Sequence, residues 1–111
     1  MTVRKKIIDQ ELYKKVSIND LILFSLFSIK KEKEKCNFEE LVRECFSYFP
    51  EAFSFTTISE WPDSRKLDRP LRFLRREGLI SGDPKTSFCL TKSGKKIAIE
   101  ISKNFRQSKL I

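Results

Sequence analysis

Apolar positions along this chain fall into helical spacing, with one short stretch of alternation, and the rhythm predicts the elements in order. Ile8, Leu12 and Val16 repeat at helical spacing across residues 1–16. Residues 18–31 (INDLILFSLFSIKK), started by Ser17 or Asn19, are apolar on nearly all sides, as expected of a central core helix. Asn37 opens a third helix and Glu40, three residues on, can return the capping bond. Phe38, Leu41, Val42, Cys45, Phe46 and Phe49 mark its buried face, Glu39, Glu40, Arg43 and Glu44 its outer face, and Pro50 its stop. In the connector 51–62, Phe53 and Phe55 alternate with Ser54 and Thr56, which reads as a short extended piece. Trp61-Pro62 then fixes the approach to the next helix, with the indole as a packing anchor. That helix runs over about 63–77, capped by Asp63 or Ser64 and ended by Gly78. Leu67, Leu71 and Leu74, with Pro70, form its buried stripe. Residues 79–81 and 87–90 read as strands around a five-residue turn. Over 92–111 two rhythms compete. Ile97, Ile99 and Ile101 alternate like a strand, while Ile97, Ala98, Ile101 and Phe105 fit a helix; Thr91 as cap decides for helix and leaves Ile99 pointing away from the stripe.

The face of residues 63–77 opposite the leucines changes the picture. At ~100° per residue, Arg65, Arg69, Arg72 and Arg76 fall in a strip about 60° wide, with Lys66 and Phe73 on one flank. The formal net charge of +8 is concentrated accordingly: residues 63–76 carry six cations against two acids, the two chain ends carry the rest of the excess, and residues 17–62 are net acidic. Concentration of this kind favours a polyanion as partner over general solubility. The near-balanced run 30–35 reads as a solvated helix end, and the carboxylates at 39 and 40 as acids favoured in a first helical turn.

The remaining composition narrows the classes. The 111 residues, 40% apolar with ten Phe, suffice for one domain with one core. No apolar run approaches the ~20 residues of a membrane span, and the N-terminus lacks the apolar core of a secretory signal. Cys36, Cys45 and Cys89 are odd in number, widely spaced and unaccompanied by His, which speaks for reduced, buried thiols in a cytoplasmic protein and against a zinc site. Without His, a glycine-rich phosphate loop or a recognisable nucleophile–base pair, no enzyme, cofactor or metal is expected.

Two strings carry a resemblance: LDRPLRFLRREGLI at 67–80 and FCLTKSG at 88–94. The chain resembles the winged helix-turn-helix superfamily of prokaryotic DNA-binding regulators, in which a recognition helix ends in L-R-x-x-G-L-I and a wing strand closes on L-T-x-x-G. The resemblance implies a mainly α fold with a small β-hairpin (α+β): a basic N-terminal helix (1–16), a winged core (17–91, recognition helix about 63–77, wing 79–91) and a basic C-terminal helix (92–111). It also implies sequence-specific binding of double-stranded DNA through the major groove, as in a small transcriptional regulator. Carried over by position, Arg65, Arg69, Arg72 and Arg76 face the groove, with Arg69 and Arg72 at base edges and Lys66 and Phe73 on the flank of the DNA-binding stripe. Arg76, with Lys85 and Thr86 of the wing tip, meets phosphate. A homodimer through the terminal helices and Ile99 is a further expectation. The alternative, motivated by the long connector and the single wing cation, Lys85, is a non-enzymatic accessory module whose basic face docks an acidic protein or RNA.

Overall fold

The computed structural model describes residues 13, 16–30, 36–58, 60–82 and 85–109. The expected N-terminal helix 1–16, save Tyr13 and Val16, the charged run 31–35 and turn residues 83–84 lie outside them. The described chain is mainly helical with one two-stranded antiparallel hairpin, an α+β arrangement. Helix α1, Ile18–Lys30, begins where Ser17 Oγ accepts the Asp20 amide at 3.3 Å. Leu21, Ile22, Leu23 and Leu26 leave it almost no exposed surface over its central turns, and α1 packs against the helices at 38–48, 68–76 and 92–109 and the strand at 88–90. Helix α2, Phe38–Tyr48, opens with the expected reciprocal cap: Asn37 Oδ1 accepts the Glu40 amide at 2.8 Å, and Glu40 Oε1 accepts the Asn37 amide at 3.1 Å.

Two expectations about α2 are corrected. Glu44 does not face out; it is 5% exposed and sits beside the buried Cys45, three residues from Leu41, on the inner side of the helix. Nor does Pro50 simply stop the chain's helical course. Its fixed φ suits a first helical position, and it opens a four-residue helix α3, Pro50–Phe53. Phe53 therefore ends a buried helical turn rather than beginning an extended run, and extended pairing starts only at Ser54, opposite Pro62.

The hydrophobic centre is aromatic. Phe49 lies 4.9 Å from Tyr13, 5.8 Å from Phe24 and 6.0 Å from Phe105, centroid to centroid. Tyr13, 3% exposed, was invisible to the spacing argument because its neighbours in the stripe are aliphatic. Cys36 and Cys45 are buried as expected, and burial first of all pushes the Cys45 thiol up to about 12, which makes it chemically inert. Cys89 is only half-buried, with its Sγ 3.0 Å from Ser81 Oγ across the hairpin.

The stretch 63–77 is not one helix. A 3₁₀ turn, Ser64–Leu67, precedes helix α4, Asp68–Arg76. Pro70 accounts for the break: it has no N–H to give residue 66, and its ring would strike that carbonyl, so an α-helix can hold Pro70 only in its first turn. Gly78, with φ +73°, ends α4 as expected. The hairpin pairs β1, Ile80–Gly82, with β2, Phe88–Leu90, in the register Ile80↔Leu90 and Gly82↔Phe88. Cys36 adds a single residue to the open side of β2, exchanging both backbone bonds with Phe88 at 2.8 and 3.3 Å. Helix α5, Lys92–Lys109, starts on the Thr91 cap and lies along α1. Ala98, Ile101 and Phe105 are buried; Ile99 points away as expected, and Ile97 is likewise exposed rather than buried.

Candidate nucleic-acid interface

Helix α4 has two unlike faces, and its sequence explains both. Leu67, Leu71 and Leu74 are 0–3% exposed against α1 and β1. Each such side chain contributes ~1.5–3 kcal/mol over leaving it in water, so the rotation of the helix about its axis is fixed by burial. Arg69, Arg72 and Arg76 are thereby turned to solvent, together with Phe73. Among the described residues none pairs with Arg69, Arg72 or Arg76. Arg75 is also exposed, offset from that strip; a plain count of cations in LRFLRRE would have included it.

The other candidate residues are placed differently. Arg65 lies on the 3₁₀ turn, whose ~120° per residue carries it off the α4 strip. Its side chain is exposed, but Nε donates to Asp63 Oδ1 at 3.2 Å and the guanidinium stands 5.7 Å from the Phe55 ring centroid. Lys66 is half-buried and its Nζ donates to the Ser54 carbonyl at 2.7 Å, so its charge serves the fold. Lys85 and Thr86 are exposed on a separate element, the hairpin turn. The structure therefore brings Arg69, Arg72, Phe73 and Arg76 together and separates Arg65, Lys66, Lys85 and Thr86 from them.

Both ends of α4 are anchored. At its approach, Asp63 accepts from the Arg65 amide at 3.1 Å and from the Arg65 guanidinium, while the Asp63 amide donates to the Phe53 carbonyl at 2.7 Å. Burial acts to raise the Asp63 pKa, but the bonds from Arg65 outweigh it and hold the carboxyl below the ordinary aspartate range. At its far end, Thr91 Oγ1 donates to the Gly78 carbonyl at 2.6 Å and accepts the Gly94 amide at 3.2 Å.

The chain matches no protein-family model, no curated protein and no solved structure. What it does must be read from its own surface.

One surface feature escaped the sequence reasoning. Trp61 is not a packing anchor: it is 59% exposed, because the loop is closed through backbone groups, Phe55 N–H to the Trp61 carbonyl at 3.0 Å and the Ser54–Pro62 pairing. Ile58 is exposed in the same loop. Beside it, Phe38, Val42, Phe46 and Pro62 line a shallow apolar groove of about 280 Å³, with Glu39 and Arg43 alongside. The available signal was Phe38, Val42 and Phe46, apolar at every fourth residue along α2, a set that spacing alone assigns to the core. Among the described residues no helix is long and apolar enough to cross a membrane, and no group of three or more Cys, Asp or Glu could hold a metal ion.

Proposed function

We propose that this chain is a winged-helix protein that binds double-stranded DNA sequence-specifically, with α4 in the major groove, as a small, non-enzymatic cytoplasmic transcriptional regulator. The observation that carries the reading is the set of exposed arginines, Arg69, Arg72 and Arg76, without partners among the described residues, on one face of a helix whose other face is buried leucine. Three exposed guanidinium groups a turn apart repel one another and gain nothing from one another, whereas phosphates and guanine edges match their geometry. The order of elements supports it as well: α1, α2, then α4 and a hairpin, with α3 as an insertion in the long connector. The hairpin tip, with Lys85 and Thr86, serves as the wing and contributes backbone contacts. Exposed Ile99 on the C-terminal helix α5 marks the surface on which two copies meet.

A mobility-shift titration tests the reading. Affinity is expected to fall with log salt at a slope of about −0.9 per phosphate contacted. Replacing both Arg69 and Arg72 by Ala should cost on the order of 2–6 kcal/mol, at ~1–3 kcal/mol for each base-reading arginine. Absence of duplex binding at low salt, or binding indifferent to the double replacement, would sink the proposal.

A second reading has its own observation. Trp61 and Ile58 are exposed in their loop and an apolar groove lies along α2, features of the kind that meet protein. On that reading the chain is an accessory module, and its basic face docks an acidic protein or RNA. A protein partner that co-purifies and is lost with Arg69→Ala plus Arg72→Ala, in the absence of duplex binding, favours it.

A further inference from the structure

Phe73 stands out on the arginine face of α4. It is 39% exposed, although a ring of this size stabilises a small domain most when it is withdrawn from water. With Arg69 set at 0° and ~100° per residue, Arg72 lies near −60°, Arg76 near −20° and Phe73 near +40°. The buried leucines lie on the far side, so the ring faces outward on the flank of the guanidinium strip. An apolar group at the margin of a cationic surface fits a ligand that is anionic overall and carries a small apolar feature. Duplex DNA offers one such feature in its major groove, the 5-methyl group of thymine.

From this we propose that Phe73 is a specificity-determining residue that reads the 5-methyl of a thymine, beside a guanine read by Arg69. The inference rests on the DNA-binding reading above. The spacing sets the word length. Residues four apart on a helix are ~6 Å apart along its axis, and base pairs rise ~3.4 Å, so the thymine lies within about two base pairs of the guanine. Along the axis Arg72 lies between the two and Arg76 beyond Phe73, and both hold the register through guanine or phosphate.

The test begins with binding-site selection on random duplexes, followed by replacement of each selected thymine by deoxyuridine, which removes only the methyl group. The wild-type chain is expected to lose about four-fold in affinity at one thymine, the factor for one methyl-sized group returned to water. Phe73→Ala should lose a similar factor on the thymine duplex and no longer distinguish thymine from uracil. Phe73→Leu should retain part of the discrimination. Arg69→Ala should bind more weakly yet keep the thymine–uracil difference. The wild-type comparison decides even where a variant folds poorly. Arginine-dependent, salt-sensitive duplex binding with equal affinity for thymine and uracil at every position overturns the role of Phe73 and leaves the DNA-binding reading standing. No duplex binding at low salt overturns both.

Discussion

The two ends of α4 are both fixed to distant parts of the chain, by opposite means. At the far end the fixing is steric and neutral: Thr91 Oγ1 bridges the Gly78 carbonyl and the Gly94 amide, and Gly94 lets α5 lie directly on the Leu79 carbonyl. At the approach it is ionic: the Asp63 carboxylate collects the Arg65 donors, and the Lys66 ammonium reaches the Ser54 carbonyl. A neutral junction of hydroxyl, amide and close backbone contact ignores pH and salt. An ionic one at the surface does not. The helix is thus held permanently at one end and conditionally at the other.

The largest test of the far end is Gly94→Ala. Helix propensity favours alanine over glycine by up to ~1 kcal/mol. A Cβ at this buried position, however, would collide with the Leu79 carbonyl oxygen, which is backbone and cannot swing aside, and would crowd Leu90 Cδ2 at 3.3 Å. Overpacking of this kind costs ~1–3 kcal/mol, so the variant is expected to lose about 2 kcal/mol in a denaturant titration. A more stable variant would show that α5 can lift away from the hairpin at little cost. Next in size, Thr91→Val keeps the shape and removes both hydroxyl bonds; a loss of about 1–2 kcal/mol is expected, largely recovered in Thr91→Ser.

The smallest effect belongs to the approach and depends on pH. The folded-state pKa of Asp63 lies below its unfolded value, so its contribution is fully present above the unfolded value of ~3.9 and is lost as pH falls through the lower folded value. Asp63→Asn keeps an oxygen at the cap without the titration. Its melting temperature should fall less steeply than the wild type's as pH is lowered below about 4, and the gap between them should narrow there. Parallel curves would mean that the charge on Asp63 contributes nothing at this junction.

This contrast also explains what was legible in the sequence. At the far end the joining bond spans 13 residues, but its two parts are local: a glycine with positive φ after a leucine stripe, and a threonine at a helix start. Local chemistry dictates each of these. The approach is assembled from Phe53, Ser54 and Asp63 to Lys66, across a loop whose closure no spacing announces. Hence spacing alone reads 63–77 as one helix, although Pro70 holds the reason for the break. Trp61 was sent to the core for a related cause. Large aromatics are mostly buried, and nothing in SEWPD says that the backbone carbonyl, not the ring, makes the contact. Arg69, Arg72, Phe73 and Arg76 were legible because they ride on the leucine stripe, and the helix geometry that buries one set exposes the other. Lys66 was misjudged because a lysine's charge says nothing of which carbonyl it will find.

The pairing of Cys36 with Phe88 has a consequence for how the molecule comes together. Nearly half of the chain, including α2, α3 and α4, lies between these two residues. The hairpin itself closes over a handful of residues and can form early, whereas bringing position 36 to position 88 requires the intervening helices to be close to their final places. The two backbone bonds there act as the clasp of the domain. They are expected to form late in folding, and hydrogen exchange at the Cys36 and Phe88 amides is expected to follow the opening of the whole unit rather than the fraying of one strand.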